Sequence, residues 1–101
     1  MPKNYDEALY WIEKSAEQGD AVGEDNLGFM YLKGLGVPQD YQKAVYWFKK
    51  SAEQDYPLAE INLALMYQYG LGVPQDSQEA LYWYNKAMAH KNKIQWFNLN
   101  E

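Results

Sequence analysis

The chain has 101 residues, 48% of them hydrophobic and 17% aromatic, which suffices for the core of one compact domain and is too aromatic for a disordered segment. Its formal net charge is −5 and it contains no arginine, which argues against a nucleic-acid partner because phosphate binding needs clustered cations. The absence of cysteine excludes disulfides and thiolate chemistry, and no apolar run approaches the roughly 20 residues that a membrane span requires.

A repeat of 36 residues dominates the sequence. Residues 5–40 align with residues 41–76, and about 21 of the 36 aligned positions are identical. A third copy starts at Ser77 and stops at Glu101. We therefore expect a single domain over 1–101, made of a half repeat at about 4–20, full repeats at about 21–56 and 57–92, and a truncated repeat at 93–101.

The first helix of each unit is predicted at about 4–18, 40–54 and 76–90, from apolar residues that recur at spacings of three and four. Asn4, Asp40 and Asp76 stand at the starts of these segments and are expected to cap them. Each helix carries a Tyr-Trp doublet, at residues 10–11, 46–47 and 82–83. We expect the tryptophans to pack in the core and the tyrosines to reach the surface.

The second helix is predicted at about 21–33 and 57–69, with Asp20 as the cap of one and Pro57 in the first turn of the other. Gly34 and Gly70 follow these helices and are expected to end them in the left-handed conformation. Gly-Leu-Gly-Val-Pro-Gln-Asp then forms the loop of both copies, where Gly36 and Gly72 are expected to adopt positive φ. Antiparallel helix pairs repeated in this way predict an all-α fold, a right-handed α/α superhelix of helix-turn-helix repeats.

The repeat resembles the Sel-1-like repeat, a relative of the tetratricopeptide repeat. The resemblance rests on Asn-Leu-Gly-x-Met-Tyr at residues 26–31, Gly-x-Gly-Val-Pro-x-Asp at 34–40 and Lys-Ala-x-x-Trp-Phe-x-x-Ser-Ala-Glu-Gln at 43–54. Ala64 departs from the pattern, since it stands where the preceding copy has Gly28. The resemblance implies an adaptor or scaffold that binds a protein partner on the superhelix, and it implies no enzymatic activity.

The second helix of each repeat is expected to line the concave face of the superhelix, by analogy with tetratricopeptide repeats. The side chains not needed for packing would then contact a peptide or protein partner. From the first full repeat these are Val22, Asp25, Asn26, Phe29, Leu32 and Lys33, and from the second they are Leu58, Ile61, Asn62, Leu65, Gln68 and Tyr69. Asn26, Asn62 and Asn98 recur in register, either as a ladder for the backbone of a bound peptide or as amides that bond neighbouring helices.

The C-terminal tail places Trp96 and Phe97 at the start of an unfinished second helix. These aromatics either cap the stack, occupy the groove of another copy, or mark a point where a longer protein has been cut. An uncapped solenoid end exposes apolar surface, so formation of a homo-oligomer through the C-terminal end is a hypothesis. A self-associating structural scaffold is accordingly the alternative to an adaptor.

Catalytic and metal chemistry find little support in the sequence. His90, the single histidine, is expected to sit at a helix C-terminus, where the dipole favours a cation, and the spacing supplies it with no metal-binding partners. Glu13 and Glu17 could be read as the paired carboxylates of a hydrolase, but a solvated helix face explains them better. We predict no cofactor and no metal. The N-terminus shows no signal peptide, so the cytoplasm is the default expectation for location.

Overall fold

The computed structural model of the protein describes the backbone of residues 4–99 and the side chains of residues 4–90. This part of the chain folds into five α-helices and contains no strand. The helices are α1 (Tyr5–Glu17), α2 (Ala21–Lys33), α3 (Tyr41–Ala52), α4 (Pro57–Tyr69) and α5 (Ser77–Leu99). Each helix packs mainly against the one before it and the one after it, which makes the fold an all-α repeat solenoid.

The predicted helix starts are confirmed by their capping hydrogen bonds. The Asn4 side chain accepts from the backbone N–H of Glu7 at 3.1 Å, and Asp40 accepts from that of Lys43 at 3.1 Å. Asp76 and Asp20 cap α5 and α2 in the same way. Because α4 begins with Pro57, one amide hydrogen that would need a partner is absent, and its N-cap residue makes no side-chain hydrogen bond.

The loops after α2 and α4 also follow the sequence prediction. Gly34 ends α2 at φ 69° and Gly70 ends α4 at φ 65°, both in the left-handed region. One amide in each loop then donates back to the helix it follows, Gln39 to the Leu32 carbonyl and Gln75 to the Gln68 carbonyl, at 2.8 Å in both copies. The same sequence therefore produces the same turn twice.

The core lies between α3, α4 and the start of α5. Phe48 and Leu63 are fully buried there, among alanines that let the helices approach closely. Trp83 joins this core as expected, and Trp47 is partly buried. The prediction is wrong for Trp11, which is 60% exposed. The reason is its place in α1, which within the described residues has no helix before it, whereas α3 and α5 each pack against the helix that precedes them.

The predicted end of the third long helix at residue 90 is also wrong. The backbone of α5 continues without a break from Ser77 to Leu99, so the tail does not turn back as a separate second helix. The preceding copies break here through Gly19, at φ 84°, and through Asp55, at φ 63°, which is followed two residues later by Pro57. Residues 88–95 contain neither glycine nor proline, so the helix runs on. The side chains of Trp96, Phe97 and Asn98 lie outside the described residues.

Candidate protein-binding face

The same side of α2 and α4 carries a stripe of residues at helical spacing. We call this surface the α2–α4 face, and it comprises Val22, Asn26, Phe29 and Lys33 of α2 together with Leu58, Asn62, Leu65 and Tyr69 of α4. Val22, Phe29, Leu58 and Tyr69 are between 42% and 64% exposed, although they are large and apolar or aromatic. Val22 and Leu58 are in register, and with Phe29 and Tyr69 they place exposed apolar or aromatic side chains on one stripe of each helix.

A hydrogen bond between two repeats joins α2 to α4 beneath this face. The side-chain amide of Asn62 donates to Asp25 Oδ1 at 3.0 Å. Asp25 is only 6% exposed, so its predicted position on the open groove surface is wrong. Burial raises the pKa of the Asp25 carboxyl, and the hydrogen bond from Asn62 offsets part of that rise. Of the two interpretations of the asparagines, Asn62 fits the one in which an amide holds the stack together.

The other predicted contact residues divide by exposure. Asn26, Phe29, Lys33 and Tyr69 are exposed, whereas Ile61, Asn62, Leu65 and Gln68 are partly buried. Gln68 is engaged within the fold, because its side-chain oxygen accepts a hydrogen bond from the Tyr84 hydroxyl at 2.7 Å. The Lys33 ammonium lies 5.9 Å from the centre of the Phe29 ring. The exposed part of the α2–α4 face is thus mainly apolar, and it includes the Asn26 amide and the Lys33 ammonium.

A second recurring contact, which the sequence prediction did not include, joins the helices of one repeat. Glu24 of α2 and Glu60 of α4 are buried carboxylates at equivalent positions. Gln54 donates to Glu24 Oε1 at 2.8 Å, and one repeat later His90 Nδ1 lies 2.9 Å from Glu60 Oε1. His90 therefore lies inside α5 and contacts a buried carboxylate, so its predicted role at a helix C-terminus is wrong. The shift of 36 that pairs Gln54 with His90 was the signal that could have revealed this contact.

The family model for the Sel1 repeat matches residues 1–20, 21–56 and 57–92. The chain belongs to the Sel1 repeat family. Proteins of this family are generally protein-interaction modules, and they are typically scaffolds without enzymatic activity. A comparison with functionally curated proteins gives no match.

Solved bacterial Sel1 repeat structures are similar to this chain. A Sel1 repeat protein from Oxalobacter formigenes is 40% identical, with a TM-score of 0.80 over 81% of this chain and 63% of the other. A protective antigen from uropathogenic Escherichia coli that displays an SLR fold is 41% identical, with a TM-score of 0.85 over 89% of this chain and 19% of the other. Cysteine-rich protein B of Helicobacter pylori shares the fold at 23% identity and a TM-score of 0.81, over 86% of this chain and 65% of the other. The chain thus spans less than two thirds of the length of each.

The Tyr-Trp doublets of the Sel1 repeats form a second recurring surface feature. The two rings of each doublet meet edge to face with centroids 5.0 to 5.1 Å apart. The tyrosines at positions 10, 46 and 82 are exposed as predicted, and a lysine from the next turn lies over each doublet. These contacts are local to each helix, so they account for the doublets without a ligand.

No helix in the described part of the chain is both long enough and apolar enough to cross a membrane.

Proposed function

We propose that this Sel1 repeat protein binds an extended segment of a protein partner on the α2–α4 face, and that this face is the concave side of the solenoid. The observation that carries the proposal is the exposed stripe itself. Val22, Phe29, Leu58 and Tyr69 are each more than 40% exposed, and they lie on the same stripe of α2 and α4. Covering apolar surface of this kind is the main source of favourable free energy in protein association.

The chemistry of the face specifies the partner further. Its exposed centre accepts apolar side chains, with Phe29 and Tyr69 as aromatic anchors. The exposed Asn26 amide can donate to and accept from a peptide backbone. The acidic residues of α2 and α4, namely Glu24, Asp25 and Glu60, are all buried, and Lys33 supplies an exposed cation. We therefore infer a segment with alternating apolar residues that carries an acidic group near Lys33.

Differences between the two repeats support a binding role for the face. The core and loop residues are largely kept between copies, whereas Val22 becomes Leu58, Phe29 becomes Leu65 and Lys33 becomes Tyr69. A surface that served only to stack repeats would carry the same residues in each copy. A surface that contacts one particular sequence needs different residues at successive positions.

A peptide-display experiment tests the proposal. Random 12-residue peptides displayed on phage are enriched on the immobilised protein, and the enriched peptides are titrated by fluorescence anisotropy. Replacing both Phe29 and Tyr69 by serine should weaken binding at least ~10-fold, because each change removes an aromatic ring that the bound peptide would bury, worth about 1–2 kcal/mol. The matched control replaces Tyr10 and Tyr46, which are equally exposed but lie on α1 and α3. Enrichment of no peptide, or equal weakening in the control, would contradict the proposal.

Self-association through the C-terminal end is a second candidate, favoured by one face of α5. Leu81 is 58% exposed and Met88 is 52% exposed, while their counterparts Val45 and Ala52 are 8% and 0% exposed beneath α4. An open cavity of about 210 Å³ lies beside Leu81, lined also by Gln68, Ser77, Ala80 and Tyr84. Within the described residues no helix covers this face as α4 covers α3. A second copy that pairs through the same face would bury it.

Sedimentation velocity over a hundredfold concentration range tests this second candidate. The wild-type protein should dimerise as the concentration rises, and Leu81→Ser should shift the equilibrium towards monomer. The control is Tyr82→Ser, which alters an equally exposed residue of the adjoining surface. A strictly monomeric wild-type protein would refute self-association while leaving peptide binding untouched.

A further inference from the structure

The contact between α4 and α5, within residues 57–92, differs in chemistry from the equivalent contact between α2 and the end of α3, within residues 21–56. In the earlier contact the Gln54 amide donates to Glu24 Oε1 and to the Gly19 carbonyl, both at 2.8 Å. One repeat later, His90 stands in place of Gln54 and Asp55 in place of Gly19, around the buried Glu60. Both replacements introduce a side chain that ligates metals, and both fall at the same place in the fold.

The three side chains meet in space. Asp55, Glu60 and His90 each offer one ligand atom, and these atoms all lie within 4.8 Å of one another. Asp55 belongs to the turn between α3 and α4, Glu60 to α4 and His90 to α5, so the cluster spans three elements. Their spacing along the chain does not reveal the group, because His90 lies 30 residues beyond Glu60.

One carboxylate oxygen of Glu60 makes no hydrogen bond within the described residues. Its side chain is fully buried, and Oε1 lies 2.9 Å from His90 Nδ1. The second oxygen, Oε2, is buried and has no hydrogen-bond partner among the described residues. An orphaned carboxylate oxygen is costly inside a protein, and a bound cation is one of the few groups that would satisfy it.

Asp55 occupies a turn position whose backbone conformation favours glycine. Asp55 adopts φ 63°, a left-handed conformation that the equivalent Gly19 adopts at no steric cost. Within the described residues it is the one non-glycine residue with positive φ. The aspartate is thus held in a sparsely populated conformation, at the turn where a glycine suffices in the other copy.

We propose that Asp55, Glu60 and His90 form a site for a divalent first-row transition metal ion. One imidazole nitrogen and two carboxylate oxygens form a donor set that suits Zn²⁺ or Fe²⁺ and disfavours Mg²⁺ and Ca²⁺, which prefer oxygen alone. Solvent reaches the cluster through Asp55 and His90, whose side chains are 63% and 31% exposed. Water completes the coordination of the ion.

Lys86 is the competing cation at this site. Its ammonium lies 3.6 Å from Asp55 Oδ1, and it also lies 5.2 Å from the centre of the Trp83 ring. A metal ion that binds Asp55 displaces this weak, largely exposed ion pair, and Lys86 keeps its place over the indole. Because its ligands come from the α3–α4 turn, α4 and α5, the metal fastens α5 to α4 and to the turn that joins the two full repeats.

Zinc titration of the full chain, without a histidine tag and after treatment with a chelator, tests the site. Isothermal titration calorimetry with Zn²⁺ should give one ion per chain, and bound Zn²⁺ should raise the melting temperature in thermal unfolding followed by circular dichroism. Since His90 is the single histidine and cysteine is absent, the imidazole signals in the proton NMR spectrum belong to one residue and should shift on binding. His90→Gln recreates the glutamine of the preceding repeat, and it should weaken zinc binding at least ~10-fold while the far-UV circular dichroism stays unchanged.

Two further variants distinguish zinc binding at Asp55, Glu60 and His90 from nonspecific attraction of cations to an acidic protein. Asp55→Gly recreates Gly19 of the preceding repeat and should also weaken zinc binding at least ~10-fold. Glu53→Gln removes an exposed carboxylate next to the cluster and should leave the affinity within about twofold. Absence of zinc binding to the wild-type chain, or equal affinity of wild type and His90→Gln, would overturn the proposal. Peptide binding on the α2–α4 face does not depend on either result.

Discussion

Replacement of Gly72 by alanine should destabilise the fold strongly, because Gly72 holds the α4–α5 loop against the start of α3. Its φ is 75°, and a Cβ atom added there would lie 2.5 Å from the Tyr41 carbonyl oxygen and 2.6 Å from the carbonyl carbon. These are backbone atoms at the first turn of α3, which cannot move away as the end of a side chain can. Either the loop lifts off α3 or the helix start shifts.

The expected loss in the free energy of unfolding follows from two contributions. A left-handed backbone conformation costs a residue with a Cβ atom about 1 kcal/mol relative to glycine. Forcing an extra methyl group into a packed contact costs about 1–3 kcal/mol more. We therefore expect Gly72→Ala to lose about 2–4 kcal/mol, a large share of the total stability of a domain this small.

Gly36→Ala is the matched control for this prediction. Gly36 occupies the same position one repeat earlier, at φ 74°, but its added Cβ would be 3.0 Å from Tyr5 Cβ and 3.3 Å from the Tyr5 carbonyl oxygen. The control shares the backbone contribution and has a milder clash, so its loss should be smaller by about 1 kcal/mol or more. Urea unfolding followed by circular dichroism measures both variants. Coincident unfolding curves for Gly72→Ala and Gly36→Ala would show that contact with the start of α3 does not determine the loss of stability in Gly72→Ala.

Three other predictions follow from burial and hydrogen bonding. Phe48→Ala should lower the free energy of unfolding in urea by about 3–5 kcal/mol, because Phe48 is fully buried. Trp11→Ala should lower it by less than about 1 kcal/mol, because Trp11 is largely exposed. A larger loss for Trp11→Ala than for Phe48→Ala would contradict the described core. Asn62→Ala should lower the free energy of unfolding by about 1–3 kcal/mol, because it removes the amide that donates to the buried Asp25 carboxylate. Asn26→Ala should change it by about 0.5 kcal/mol or less, because Asn26 is exposed. Burial raises the pKa of folded Asp25 above its ordinary value of 3.8, so its contribution favours folding most below that value and is lost as the pH rises through the raised pKa. In urea unfolding at a series of pH values, the free energy of unfolding of wild type should therefore fall relative to that of Asp25→Asn as the pH rises through the raised pKa. A difference between the two proteins that stays constant with pH would refute this expectation.

Most of the helical architecture could be predicted from the sequence, because the interactions that set it act over a few residues. Asp20, Asp40 and Asp76 cap helices that start within three residues of them, and Gly34 and Gly70 end helices through their own φ angles. The repeat length and the apolar spacing then fixed how the helices alternate. The uninterrupted α5 was missed because alignment to the earlier repeats outweighed a local signal, the absence of glycine and proline around residue 90.

The tertiary structure decided which polar residues are buried and which of them meet. Glu24 and Asp25 are adjacent in α2, and nothing in the sequence distinguishes them from the acidic residues of an exposed helix surface. In the structure Gln54 donates a hydrogen bond to Glu24, and Asn62 donates one to Asp25. Trp11 and Trp83 stand at equivalent positions, but one is exposed and the other buried, because burial depends on the helices that flank each one. His90 and Glu60 lie 30 residues apart, and only the packing of α5 against α4 brings them within 2.9 Å. Sequence determines such local features as caps and turns, whereas contacts across repeats depend on how completed helices pack.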